Sequence, residues 1–220
     1  MNSEARYRLI VFDWDGTLID SAATIVECIQ QASREMGLPV PEQRTASHVI
    51  GLGLHDSLRL AVPALPPERY ADFAAFYRRH FLAREDAMAL FPGVRELLER
   101  LHASGRVLAV ATGKSRRGLD RALRASGLGG CFAASRCADE TNPKPHPAML
   151  LELMRQLAVV PGRALMVGDT SHDLAMAGAA GVDAVAVAYG AHPEAALRAL
   201  EPRACVASVA ELAAWLDAHA

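Results

Sequence analysis

Long apolar runs are missing from this 220-residue sequence. Nothing approaches the ~18 consecutive apolar residues of a membrane-spanning helix, so no membrane partner is expected. Cysteine is scarce. Cys28 and Cys205 are isolated, and Cys131 and Cys137 are separated by a spacing that matches no zinc motif, so reduced and mostly buried thiols are expected. An excess of one charge is absent too: 23 Lys and Arg stand against 25 Asp and Glu, a formal net charge of −2. Without a basic field no nucleic-acid partner is expected, and any anion binding has to be local. Repeats, low-complexity tracts and long linkers are lacking, and 51% hydrophobic residues suffice for a packed core. The opening Met-Asn-Ser-Glu-Ala-Arg carries an acid early and does not read as a secretory signal, so a cytoplasmic location is expected.

Several catalytic signatures are missing as well. Thr112-Gly113-Lys114-Ser115 ends like a P-loop, but the glycine required at position 108 is Leu108. Gly51-Leu52-Gly53 has no preceding strand and lacks the third glycine of a dinucleotide fingerprint. There is no Gly-x-Ser-x-Gly elbow and no His-x-x-x-His metal pair.

What is present is an alternation of short apolar runs with amphipathic stretches. Leu9 to Phe12, Val107 to Ala111, Ala164 to Val167 and Ala184 to Val187 are continuous apolar runs; Phe132 to Ser135 and Ala204 to Ala207 are weaker ones. Continuous rather than alternating runs predict strands buried on both faces, hence a parallel sheet. Helices are expected from Pro92 to Gly105, from Ser115 as cap to Gly127, from Pro147 to Ala158, from Asp173 to Ala180 and after Ser208. This pattern predicts an α/β fold with a doubly wound, Rossmann-like parallel sheet. From about Asp20 to Ala89 no strand is evident. Helices are expected over Ala22 to Met36, Ala46 to Val62 and Pro67 to Ala83. The expected organisation is a core of residues 1–19 and 90–220 with an inserted α-helical domain at 20–89.

Chemistry-bearing residues gather at the expected strand ends. Asp13 and Asp15 follow the first run in Asp13-Trp14-Asp15-Gly16-Thr17, where Gly16 permits a sharp turn. Asp169 and Asp173 follow another run and straddle a helix start, although Asp173 alone also reads as a helix N-cap. Four carboxylates at the top of one sheet call for a hard cation, Mg²⁺ first. Thr112-Gly113 offers a hydroxyl and amides to a phosphate. Lys144 lies between Pro143 and Pro145, whose rings restrict the backbone around it, and its ammonium suits both a carboxylate and a phosphate.

The set Asp13-x-Asp15-Gly16-Thr17, Thr112-Gly113, Lys144-Pro145 and Gly168-Asp169-x-x-x-Asp173 resembles the four ordered motifs of the haloacid dehalogenase-like hydrolases. The helical insert resembles the cap of the phosphoglycolate phosphatase-like branch, and Val49 to Gly53 resembles its cap loop. The resemblance implies a phosphatase acting on a small phosphorylated metabolite. Asp13 would be the nucleophile that becomes an aspartyl-phosphate, and Asp15 the general acid and then base. Thr112 and Lys144 would hold the phosphoryl oxygens. Gly16, Thr17, Gly113 and Lys114 would line the substrate, and Asp13, the Asp15 carbonyl, Asp169 and Asp173 would hold Mg²⁺. Dehalogenases lack the second aspartate, so Asp15 points to phosphoryl chemistry. Phosphoglycolate or pyrophosphate is the expected kind of substrate, with Lys114, Arg116, Arg117, His55 and Arg59 as candidate readers of a second anionic group. The alternatives are a phosphotransferase or phosphomutase of the β-phosphoglucomutase type, or a non-catalytic binding module.

Overall fold

The computed structural model describes residues 6–219, apart from the side chain of residue 86; most of the opening Met-Asn-Ser-Glu-Ala-Arg, expected not to be a secretory signal, lies outside them. Six parallel strands form one sheet: β1 (Leu9–Phe12), β2 (Val107–Thr112), β3 (Ala134–Cys137), β4 (Ala164–Gly168), β5 (Asp183–Val187) and β6 (Ala204–Val206), in the order β3-β2-β1-β4-β5-β6. The continuous apolar runs are explained by burial on both faces. Ile10, Phe12, Leu108, Val110, Leu165 and Val167 enter one core cluster. Their alternating neighbours Leu9, Val11, Ala109, Ala111, Ala164 and Met166 enter the other. The first face is covered by α5 (Val94–Ala103), α6 (Arg116–Ser126) and α10 (Val209–His219). The second is covered by α7 (Ala148–Gln156) and α8 (Ser171–Ala179). This is the expected doubly wound α/β arrangement.

Between β1 and β2 the chain forms α1 (Ala22–Glu35), α2 (Gln43–His48), α3 (Leu54–Ala61) and α4 (Tyr70–Leu82). These helices surround an apolar cluster of their own, including Ile25, Ile29, Leu58 and Phe73. The chain leaves and returns side by side, with Asp20 N–H donating to the Ala89 carbonyl at 2.9 Å. A short α9 (Glu194–Arg198) follows β5. Among the described residues no helix is long and apolar enough to cross a membrane.

Three local expectations are corrected. The helix expected over Ala46 to Val62 is two helices, because Gly51 takes φ +90° and Gly53 is extended, so Val49 to Gly53 form a loop. Pro92 lies before the helix, whose N-cap is Gly93 at φ +88°. Helix α8 starts at Ser171, not Asp173. Thr170 is its N-cap and Asp173 occupies the third position of a capping box, which explains a side chain that the sequence alone also allowed as the cap.

Candidate active site

Strand β1 lies between β2 and β4, although the chain visits β2 and β3 before it reaches β4. The change of direction makes the carboxyl ends of β1 and β4 the expected ligand crevice of an open α/β sheet. Asp13 and Asp169 are the first residues after these strands, and the Asp13 N–H donates to the Val167 carbonyl at 2.9 Å. The sequence separation of 156 residues is thus closed by strand pairing, Phe12 standing beside Val167.

Lys144 joins the two acidic motifs. Its Nζ lies 2.7 Å from Asp13 Oδ1 and 2.7 Å from Asp173 Oδ1, and all three side chains are buried. Burial alone would lower the lysine, but Asp13 and Asp173 outweigh it and hold the ammonium above its ordinary range. Burial pushes the Asp13 carboxyl well up against the pull of Lys144, with Asp173 and Asp169 adding to the rise. Asp13 Oδ1 also accepts the Trp14 N–H at 2.6 Å, whereas its Oδ2 is buried without a hydrogen-bond partner.

Asp169 is held from two sides. Thr17 Oγ1 donates to its Oδ1 at 2.8 Å and the Ala191 N–H to its Oδ2 at 2.7 Å. A Cβ at residue 16 would come within 2.1 Å of Asp169 Oδ2, so glycine is required there. Gly16 and Thr17, expected beside substrate, seat Asp169. Burial and the Asp173 charge raise Asp169 to about 7. Asp13, Asp169 and Asp173 bring one oxygen each within 4.8 Å of one another. An all-carboxylate set whose Asp169 charge is disfavoured by burial and by Asp173 fits a hard divalent cation. Asp173 fits it less directly: its Oδ1 is against Lys144 and its Oδ2 accepts the Thr170 N–H at 3.0 Å and hydroxyl at 2.7 Å.

Asp15 faces elsewhere. Its Oδ1 accepts the Ser21 hydroxyl at 2.8 Å and its Oδ2 lies 3.0 Å from Lys114 Nζ. Thr112 Oγ1 accepts the Lys114 N–H at 3.2 Å. Asp13, Asp15, Thr112, Gly113 and Lys114 form the floor of a cavity of about 240 Å³, and α1, α3 and α4 supply its opposite wall. The candidate anion readers do not line it, apart from Lys114. Arg116 pairs with Glu140 at 2.7 Å, Arg59 pairs with Asp56 at 3.2 Å, and His55 and Arg117 lie outside the lining.

The loop after α2 closes directly on the sheet. A Cβ at residue 113 would fall 2.6 Å from the Gly51 carbonyl oxygen. The Ser47 hydroxyl donates to the Ala191 carbonyl at 2.7 Å. His172 and His192 each bring Nε2 to the His48 carbonyl, at 2.7 and 3.1 Å. Burial and the neighbouring His172 lower His192 to about 4, so it is neutral at neutral pH. Its Nδ1 accepts the Ser171 N–H at 3.0 Å, which assigns the remaining proton to Nε2. Sequence reading missed this contact, because positions 48, 172 and 192 have no local pattern in common. Ser21, six residues from the Asp15 carboxylate it bonds, and Ala191 were missed as well.

This geometry agrees with comparison to known proteins. The profile of the family described as "Haloacid dehalogenase-like hydrolase" matches residues 10–187. The chain belongs to the haloacid dehalogenase-like hydrolase family. A relative named "Probable phosphatase IndB" from Dickeya dadantii (strain 3937) is 37% identical, covering 93% of this chain and 91% of its own. A relative named "Tyrosine-protein kinase PtkA" from Mycobacterium tuberculosis (strain H37Rv) is also 37% identical, over 83% of this chain. This chain spans only 62% of that protein's length. A Haemophilus somnus structure described as a "predicted phosphoglycolate phosphatase" superposes with a TM-score of 0.84 at 26% identity, covering 96% of this chain and 98% of its own. This haloacid dehalogenase-like chain is an enzyme of the phosphatase kind.

Proposed function

We propose that this haloacid dehalogenase-like enzyme is a Mg²⁺-dependent phosphatase that hydrolyses a small phosphorylated metabolite through an aspartyl-phosphate on Asp13. The observation that carries this reading is the Asp13 carboxylate. Lys144 and the Trp14 N–H hold Oδ1, while buried Oδ2 has no partner and its residue belongs to the cavity floor. An oxygen kept free of hydrogen bonds is the more nucleophilic one.

Oδ2 attacks phosphorus as the ester P–O bond breaks. Asp15 gives a proton to the departing oxygen, then takes one from the water that attacks the aspartyl-phosphate and releases inorganic phosphate. Lys114, paired with Asp15 at 3.0 Å, gains a second anion when a phosphoryl group enters. Thr112 accepts from the Lys114 N–H and keeps its own O–H to donate to a phosphoryl oxygen. Asp13 and Asp169 would hold Mg²⁺, with the Asp15 carbonyl and Asp173 as the further candidates. Bound there, the ion neutralises charge on the carboxylates and the phosphoryl group. The helices of residues 20–89 act as the cap that excludes water. The four free thiols fit the reducing conditions of a cytoplasmic location.

The test is single-turnover hydrolysis of p-nitrophenyl phosphate with Mg²⁺, acid quench and peptide mass spectrometry. A phosphoryl group on the Asp13 peptide, absent in Asp13→Asn, is expected. Phosphate on a serine or histidine, or wild-type turnover by Asp13→Asn, would refute the mechanism. The kinase name of the mycobacterial relative favours a second reading, transfer of the phosphoryl group to another acceptor. Stoichiometric release of inorganic phosphate decides against it.

A further inference from the structure

The wall of the cavity opposite Asp13 carries chemistry that the phosphatase reading does not use. Its side chains from α1, α3 and α4 are almost all apolar, with Ile25, Ile29, Leu58, Phe73, Tyr77 and Phe81 forming its main surface. These helices contribute no carboxylate and two polar groups besides the Tyr77 hydroxyl, Ser57 and Arg78. The Ser57 hydroxyl is spent on the Val49 carbonyl at 3.2 Å, and Arg78 is an exposed residue of the lining. The two cations nearer the floor are already engaged. Lys114 pairs with Asp15 and lies 4.6 Å over the Phe81 ring, and Arg121 pairs with Glu85 at 2.6 Å.

We propose that the substrate's leaving group is apolar: an alkyl or benzyl-type alcohol esterified to phosphate, seated between α1 and α4 with its phosphoryl group on Asp13. This rests on the phosphatase reading and narrows its substrate class. A glycolate carboxylate or a second phosphate in the same place would be desolvated against Ile, Leu and Phe side chains, with Lys114 shared between Asp15 and the phosphoryl group, Arg121 paired with Glu85, and Arg78 left as an exposed cation of the lining, which is costly. An apolar group gains from the same surface. The volume suffices, since about 150 Å³ of apolar cavity accepts a benzene ring and this one measures 240 Å³. Burial and the Asp15 charge keep the Tyr77 phenol protonated, so it adds no negative charge to the wall. The overall reaction is ester plus water to alcohol plus inorganic phosphate, with the alcohol's proton supplied by Asp15.

The experiment compares kcat/KM of the wild-type enzyme, with Mg²⁺, for methyl, propyl, hexyl and benzyl phosphate against phosphoglycolate and pyrophosphate, with acetyl phosphate as a substrate that has little leaving group to read. A rise of about fourfold per methylene until the cavity is filled is expected. Benzyl and hexyl phosphate should exceed phosphoglycolate and pyrophosphate at least about tenfold. In Tyr77→Arg, checked for folding by circular dichroism, the preference should shift toward phosphoglycolate. The wild-type series stands alone if that variant does not fold. A flat series, or phosphoglycolate or pyrophosphate as the best substrate, overturns the apolar leaving group while leaving the phosphatase reading intact. No phosphate from any compound, acetyl phosphate included, overturns the phosphatase reading itself and the proposal with it.

Discussion

Lys144 Nζ lies 2.7 Å from Asp13 Oδ1, and neither side chain is more than 1% exposed. The lysine comes from a proline-flanked loop after β3 and the aspartate from the end of β1, so the pair ties two separate segments beneath the cavity floor. Removing one partner of such a pair leaves buried charge uncompensated. Lys144→Met should lower unfolding free energy by about 3–5 kcal/mol at neutral pH, measured by urea denaturation without metal. A loss under about 1 kcal/mol would mean that Asp13 and Asp173 do not depend on the ammonium.

Metal binding and pH should be linked through Asp169. Its carboxyl ionises near 4 when unfolded and at about 7 in the metal-free fold, because of burial and the Asp173 charge. Between these values the folded state holds the extra proton, so this group makes the fold progressively less stable as pH rises from about 4 to about 7, and the penalty persists above. A divalent cation relieves the penalty where the carboxylate is ionised and competes with a proton where it is not. The rise in melting temperature with saturating Mg²⁺ should therefore be larger at about pH 8 than at about pH 5.5. An equal rise at both would separate Asp169 from the metal.

The two aspartates of the first motif should be separable by kinetics. On the proposed mechanism, Asp15→Asn keeps the Asp13 nucleophile but supplies no proton and activates no water. With p-nitrophenyl phosphate, whose leaving group needs little protonation, it should give a burst approaching one equivalent. A steady state about 10²–10⁴-fold slower than wild type should follow. Loss of the burst together with the steady state would give Asp15 a role in phosphorylation itself.

Closure of the helical insert over the sheet should depend on the glycine at 113. A Cβ there would meet the Gly51 carbonyl oxygen at 2.6 Å and that of Leu52 at 2.8 Å, and backbone atoms cannot swing aside as a side-chain end can. Gly113→Ala should reduce kcat/KM at least about tenfold by displacing the insert from the cavity floor. Residue 113 follows β2 and its φ is negative, so the melting temperature should fall only slightly. Unchanged kinetics would show that the contact between Gly51 and Gly113 is not needed during turnover.

Residue order by itself determined the sheet and the positions of the acidic motifs. Leu9 to Phe12 and Ala164 to Val167 read as doubly buried strands because four consecutive apolar residues satisfy both faces of a parallel sheet, and the residues next in the chain then lie at the strand's carboxyl end. Ser115 and Ser208 announced helix starts through short-range hydrogen bonds, Ser115 accepting from Gly118 N–H and Ser208 from Glu211 N–H. The break at Gly51 was less legible, since glycine is tolerated within a helical pattern and only its positive φ marks the loop.

Tertiary structure alone decided which charges meet. Asp13 with Lys144, Thr17 with Asp169 and His48 with His172 and His192 are paired across more than 100 residues by strand order and by the seating of the insert, and neither is encoded in local periodicity. It also decided that Arg116 turns to Glu140 and away from the cavity, leaving an apolar wall where a sequence reading supplied a second anion site. The physical reason is range. Propensity, capping and burial patterns act over a few residues, whereas a cavity and its electrostatics exist only once distant segments exclude water together.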